Sequence, residues 1–497
     1  MSQKRTETAT ERSHLLLATC RAEPNSPDIH NHVPLAAGHY QMYLIERQID
    51  MVPGQTMKQS SYVADDHIHF KSKPHPRLPK GDVILAIHGF NCTQAAGLNT
   101  AFNVHNALAA WGLPLAPAVE HPEMGPMAAR VIGFTWPSDH GAFNGYTSAK
   151  ESVARFAAFS LANLITDLRR AEPLRRIHIV AHSMGCFLTL KALNMLAVLR
   201  HSPSDEPIMP MVDEVIWLAP DVNADALERS TLTSPRLQAW RQPAQRPPFA
   251  RLRQAMHRPQ TTAEMGQLTN SLEQAIDTNV RDHPLDGYGY ATLNIIRRLN
   301  IYSSVNDEAM WISPLANHLT EDAGSASGGI RLGLAGPLHP ELMMIPDVDA
   351  PPYHQRQVNL IDCSVIVHEH GDYFFLPIPQ RDIASRLAEA AVRPHLEQLP
   401  ELSSENIVVT PPPERIVLTA WHQGAPTQFP IGNQTVPTGL FLYALTAQAG
   451  ENSIPTTAQP DAPTRLPSMS PVGFLWNTPL VVFARLLVFI ITKYYRI

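Results

Sequence analysis

Cysteine is scarce: four occur in 497 residues, at positions 20, 92, 186 and 363. They are too few and too scattered for a disulfide framework, and they read as unpaired thiols of a reducing compartment. Charge is sparse too. Asp, Glu, Lys and Arg make up 17% of the chain and sum to a formal net charge of -6, so no basic footprint for nucleic acid exists. The apolar run Leu15 to Cys20 is shorter than the core of a secretory signal, and it leaves the lipoprotein-like box Leu17-Ala18-Thr19-Cys20 without the hydrophobic stretch such a box requires. The expectation is a cytoplasmic or membrane-associated protein with no signal peptide. Nucleotide-binding and metal-binding motifs are absent as well. The pairs His30/His32 and His67/His69 have no third ligand at a recognisable spacing, so no metal and no cofactor are expected.

What is present is a hydrophobic fraction of 44%, enough for a sizeable core. Its centre is Ile177 to Leu190, where strand-like alternation runs directly into Ala181-His182-Ser183-Met184-Gly185 and then into an apolar helix-like segment. A chain passing from strand to helix through one serine must turn sharply, which requires small residues two positions before and after it. Such a turn lifts the Ser183 hydroxyl above the sheet and leaves the Met184 backbone N–H facing whatever the hydroxyl attacks. The usual first residue of this pattern is glycine, where this chain has Ala181. A serine capping the next helix would show the same five residues, so the flanks must decide.

Val83 to Ile87 reads as a strand buried on both faces, ending in His88-Gly89-Phe90-Asn91. Gly89 permits close backbone approach, and the Phe90 N–H is positioned as a second donor to an oxyanion. A helix is expected over Leu98 to Leu108, then a strand over Arg130 to Phe134 that ends in Thr135-Trp136-Pro137. Apolar spacing marks a helix over Ala149 to Arg170. Glu214 to Leu218 is the next strand, with Ala219-Pro220-Asp221 at its end. Strand and helix alternate as in a parallel sheet with right-handed crossovers.

The alternation then breaks. Between Arg229 and Thr262 stand seven arginines and no carboxylate, followed by helical apolar spacing from Met265 to Val280. This insertion, spanning 224–290, is a solvated loop with a packed helix or a cationic lid favouring anionic substrates. The alternation resumes with a strand over Leu299 to Ser304 and Asp307 just beyond it. A last strand is expected over Asn359 to Ser364, then His368-Glu369-His370-Gly371-Asp372-Tyr373-Phe374, and a helix over Ile383 to Val392 that should stop at Pro394.

Taken together, residues from about Lys80 to Arg393 resemble the α/β-hydrolase superfamily, most closely a bacterial subgroup of uncharacterised serine hydrolases. The shared pieces are His88 to Asn91, Thr135 to Pro137, Ala181 to Gly185, Ala219 to Asp221, Asn306-Asp307, and His370 near Tyr373-Phe374. The resemblance implies a mostly parallel central sheet with helices on both faces. It also implies a triad of Ser183, His370 and Asp307 in the chain order this superfamily uses and an oxyanion hole from the Phe90 and Met184 N–H groups. His88, Gly89, Trp136 and His182 are the candidate pocket residues, with core packing the commoner fate of a tryptophan such as Trp136. The late element carries one extra residue, which keeps His368 a rival base, and Asp221 is a rival acid. The implied activity is hydrolysis of a carboxylic ester on a small molecule or lipid, with an amidase or thioesterase as alternatives. A catalytically inactive, membrane-anchored binding protein is the reading from another class.

Both ends lie outside the resemblance. Residues 1–75 carry strand signals at Gln41 to Arg47 and His67 to Lys71, and the hydrolase region is taken as 76–400. Residues 401–470 form an extension and linker with strands at Arg415 to Ala420 and Leu440 to Leu445. In the tail, 471–497, Val472 to Thr492 has the length of a membrane span, with Arg485 its only charge. At mid-membrane that arginine would cost about 2.5–3.5 kcal/mol, which leucine, valine, isoleucine and phenylalanine at about 0.3–0.6 kcal/mol each can offset. The tail either associates with a membrane or docks as a core helix. No feature specifies an oligomeric state.

Overall fold

The uninterrupted apolar run Val83 to Ile87 is buried at every position, because helices cover both faces of the sheet to which it belongs. The architecture comes from a computed structural model that describes residues 10–21, 35, 38–50, 68–117, 129–138, 146, 149–150, 153–200, 211–227, 292–293, 295–310, 331–337, 343, 357–398, 414–422, 425–427 and 439–446. The arginine-rich stretch Arg229 to Arg258, the apolar spacing over 265–280 and the tail segment 472–492 lie outside these residues. Among the described residues no helix is long and apolar enough to cross a membrane.

The strands are β1 (Thr10–Thr19), β2 (Gln41–Asp50), β3 (Ile68–Pro74), β4 (Val83–Ile87), β5 (Arg130–Thr135), β6 (Ile177–His182), β7 (Val212–Leu218), β8 (Ile296–Ser303), β9 (Gln357–Asp362), β10 (Arg415–His422), β11 (Ala425–Thr427) and β12 (Gly439–Leu445). The helices are α1 (Gln94–Ala110), α2 (Ala158–Ala171, entered through a π-helical turn at Val153–Ala157), α3 (Met184–Arg200), α4 (Leu332–Ala335), α5 (Asp372–Phe375) and α6 (Pro377–Gln398). Among the described residues twelve strands form one sheet in the order β11-β10-β12-β9-β8-β7-β6-β4-β5-β1-β2-β3. The stretch from β12 to β1 is parallel throughout, with antiparallel pairs at both edges.

Strand alternation divides the core. Val83, Leu85 and Ile87 join the cluster that contains the buried sides of α2 and α3, while Ile84 and Ala86 join the cluster with α1 and α6. The chain leaves β4 for β5 on one side and returns to β6 on the other. The ends of β4 and β6 thus form a topological switch point, the place where open parallel sheets bind ligands.

Three features depart from the sequence reading. Leu15 to Thr19 belongs to a ten-residue strand that pairs in parallel with β5. Its leucines alternate between the two core clusters, which is why they form a continuous apolar run, and Cys20 is buried at its end. The closing helix does not stop at Pro394 but runs from Pro377 to Gln398. Proline there cannot donate to the carbonyl of Ala390; Arg176 Nη1 reaches that oxygen instead at 3.5 Å. Finally, β9 is not the last strand, because β12 lies parallel beside it.

The strands of the C-terminal extension are tied in by buried charges. Arg298 bonds Glu214 at 2.6 Å and Glu389 at 3.0 Å. Arg386 meets Asp382 at 2.8 Å, and Arg415 of β10 reaches both Asp382 and Glu389. Among the described residues three cations of this cluster face three carboxylates. Burial alone would raise the Asp382 carboxyl, but Arg386 and Arg415 hold it down to about 2.

Candidate active site

β6 ends at His182 and α3 begins at Met184, so Ser183 alone makes the turn. It does so with φ +55°, in the left-handed region that costs a non-glycine residue about 1–2 kcal/mol. The end of β7 compensates. Ser183 N–H donates to the Leu218 carbonyl at 2.9 Å, and the Ser183 carbonyl accepts from Cys186 N–H at 3.0 Å and Asp221 N–H at 3.2 Å. Gly185 is required here, because a Cβ would lie 2.5 Å from the His88 carbonyl oxygen. Ala181 is a paired strand residue, and its methyl sits in the core rather than in the turn.

The loop after β4 packs directly on this elbow. A Cβ on Gly89 would lie 2.8 Å from Ser183 Cβ, so Phe90 follows the serine turn as closely as backbone allows. Asn91, at φ +55°, turns the loop away. Ser138 fastens it: its carbonyl accepts from Asn91 N–H at 2.9 Å, and its hydroxyl oxygen accepts from Cys92 N–H at 3.2 Å and stands 3.1 Å from the Cys92 carbonyl. Arg21, at the end of β1, donates to the same carbonyl at 3.0 Å. The Met184 N–H is the first of its helix, where no intrahelical acceptor exists.

His88 and Trp136, expected to wall a pocket, are both buried behind this loop, at 1% and 0% exposure. Their rings stack at 5.5 Å. His88 Nδ1 donates to the Gly89 carbonyl at 2.9 Å, Nε2 accepts from Trp136 N–H at 3.2 Å, and the indole N–H donates to the His88 carbonyl at 3.0 Å. Burial, reinforced by the Arg21 guanidinium, pushes the imidazole down to about 3. His88 is therefore a neutral brace for the loop, and Gly97 of α1 lies against its ring.

Asp307 and His370 meet at the ends of β8 and β9. His370 Nδ1 donates to Asp307 Oδ2 at 2.9 Å and stands 3.1 Å from Oδ1. Asp307 is fully buried and also accepts from Ala309 N–H at 3.1 Å. The two loops are joined by Ser304 Oγ to the Val367 carbonyl at 2.8 Å and Asn306 Nδ2 to the Ser364 carbonyl at 2.7 Å. His368 is exposed, and its backbone N–H is held by Asp372 at 2.9 Å. Asp307 thus takes His370 of the two histidines.

His182 connects the two halves of the site. Its Nε2 donates to the His370 carbonyl at 2.9 Å, and its ring packs against those of His370 at 4.4 Å and Phe374 at 4.9 Å. Burial and the neighbouring His370 hold its pKa well below the ordinary value, so it is neutral. It precedes Ser183 in the chain, so the last residue of β6 ties the serine turn to the His370 loop. Among the described residues the Ser183 hydroxyl makes no side-chain hydrogen bond, and an unliganded site commonly leaves that bond to form with substrate.

Asp221 is occupied elsewhere. Tyr146 Oη donates to its Oδ2 at 2.7 Å and Arg331 Nε to its Oδ1 at 3.1 Å. Tyr146, Arg331, Ser138 and Arg21 were not legible as site residues, because each reaches the site from a segment remote in sequence and none belongs to a recognisable motif. No group of three or more potential metal ligands occurs among the described residues.

A family model described as "Alpha/beta hydrolase of unknown function (DUF900)" matches residues 71–323. An uncharacterised protein from Nostoc sp. is 33% identical over 106 residues, a stretch that covers 18% of this chain and 27% of that relative. Among solved structures, a 2,6-dihydroxy-pseudo-oxynicotine hydrolase is similar at 13% identity and TM-score 0.27, covering 71% of this chain and 66% of its own. A hyperthermophilic esterase from the archaeon Pyrobaculum calidifontis is similar at 10% identity and TM-score 0.28, covering 78% of this chain and 86% of its own.

Proposed function

Because the chain belongs to the DUF900 family of α/β hydrolases, we propose that it is a serine hydrolase that cleaves carboxylic esters through an acyl-enzyme. The observation that carries this reading is the bond from His370 Nδ1 to Asp307 beside the strained Ser183 turn, linked by His182. Asp307 orients the imidazole through Nδ1, which assigns Nε2 as the nitrogen that takes the Ser183 proton as Oγ attacks the ester carbonyl. Negative charge then develops on the carbonyl oxygen, where the Phe90 and Met184 N–H groups stabilise it. Collapse of the tetrahedral intermediate breaks the bond to the alcohol, which leaves with the proton from His370. Water attacks the acyl-serine with His370 again as base, and the carboxylic acid is released.

Lipid esters are the substrate class favoured by the sequence, through the cationic insertion and the apolar segment 472–492. The test is turnover of purified protein on esters of graded chain length beside matched thioesters and amides, with Ser183→Ala as control. Ester turnover that rises with chain length and vanishes in the variant supports the reading. Preference for the thioester or amide changes the substrate class, and turnover surviving in Ser183→Ala removes the mechanism.

A further inference from the structure

Asp221 lies just beyond β7, close enough to the serine to be considered a second acid, yet its carboxylate is engaged by Tyr146 and Arg331. Its backbone N–H donates to the Ser183 carbonyl at 3.2 Å. That carbonyl belongs to the same planar peptide unit as the Met184 N–H, so the bond fixes the plane and aims the N–H to the opposite side. The carboxylate meanwhile accepts from Tyr146 Oη at 2.7 Å, and the Tyr146 ring meets Phe90 edge to face at 5.5 Å. Phe90 carries the other donor. One residue therefore supports both N–H groups, one through its backbone and the other through a tyrosine.

The support is itself anchored. Arg331 Nε pairs with Asp221 Oδ1 at 3.1 Å while its Nη1 bonds Asn223 Oδ1. Gly333 N–H donates to the Pro220 carbonyl at 2.9 Å and Leu332 N–H to the Val222 carbonyl at 2.7 Å. A Cβ on Gly333 would lie 2.5 Å from the Ala219 carbonyl carbon, so α4 is pressed against the turn, in which Ala219 holds φ +46°. Asp221 and Arg331 are both buried.

We propose that Asp221, held by Arg331 and acting through Tyr146, is a positioning residue that sets the oxyanion hole rather than an acid of the triad. This rests on the serine-hydrolase reading above. Removing an oxyanion donor lowers kcat about 10²–10³-fold; a displaced donor should lose part of that. Asp221→Asn is thus expected to lower kcat about 10–100-fold with little change in KM. Its affinity for a trifluoromethyl ketone analogue should fall by the same factor as kcat/KM, and the acid limb of its pH–rate profile should keep the wild-type midpoint. Asp307→Asn, measured in parallel, should move that midpoint. Tyr146→Phe removes a single hydroxyl and should show the same pattern at about 3–10-fold, so it decides the matter even if Asp221→Asn fails to fold. The inference is overturned if Asp221→Asn shifts the midpoint as Asp307→Asn does, or if Tyr146→Phe leaves kcat and analogue affinity within twofold. A wild-type protein that binds no trifluoromethyl ketone overturns the hydrolase reading and this inference with it; a wild type that binds, followed by either result above, overturns this inference alone.

Discussion

Replacing Asp307 by Asn should be among the most damaging single changes that leave the nucleophile intact. The carboxylate is fully buried, and both its oxygens lie within 3.1 Å of His370 Nδ1, whose side chain is 26% exposed. When Nε2 takes the serine proton, the ring becomes a cation facing that carboxylate. A charge pair near 4 Å in a partly buried setting, at an effective dielectric constant of about 20, is worth about 4 kcal/mol, equivalent to about 10³-fold in rate. The amide also offers an N–H where the imidazole must donate, which favours the wrong tautomer. Together these predict a loss of about 10³–10⁴-fold in kcat on a p-nitrophenyl ester, with KM little changed. His368→Ala, at an exposed position, should stay within about twofold of wild type. Asp307→Asn retaining more than a tenth of wild-type kcat, or His368→Ala falling as far as Asp307→Asn, would refute the reasoning.

Acid stability should report the buried neutral histidines. Burial pushes both His88 and His178 down to about 3 from 6.5. Below pH 6.5 the unfolded chain therefore takes up protons that the folded chain does not, and stability falls with pH until about 3, by on the order of 1 kcal/mol per pH unit for each group. Among the described residues His178 Nδ1 has no hydrogen-bond partner, so His178→Phe should flatten the slope between pH 6 and 4 in urea titrations; an unchanged slope contradicts the assignment. Arg415→Met tests the cluster that joins β10 to the core. It leaves buried Asp382 with one cation fewer, and breaking such a pair costs about 3–5 kcal/mol; a change below about 1 kcal/mol in chemical denaturation would show the cluster to be dispensable.

Much of the parallel sheet was legible because each of its central strands is an apolar run ending in a short chemical signature. Val83 to Ile87 with His88 to Asn91, and Ile177 to His182 with Ser183, announce both strand and loop. The resemblance favours His370 but leaves His368 open as a rival, because two residues of spacing decide nothing until the Asp307 loop is folded against them. The roles of His88 and Trp136 escape the sequence for a related reason. A motif shows that residues gather at a site but not which side of the backbone they occupy, and here both lie behind the loop. β1 is hidden because ten residues with three consecutive leucines match no strand alternation; being covered on both faces is what makes them alternate. Tyr146, Arg331 and Arg21 reach the site only through tertiary packing.

The claim on which the rest depends is that Ser183 is an activated nucleophile. Treatment of the purified 497-residue chain with a fluorophosphonate, followed by peptide mass spectrometry, measures this directly. One phosphonyl adduct per chain is expected, on Ser183, that disappears in Ser183→Ala and is strongly slowed in Asp307→Asn. An adduct on another residue, or none on a folded protein, would contradict it.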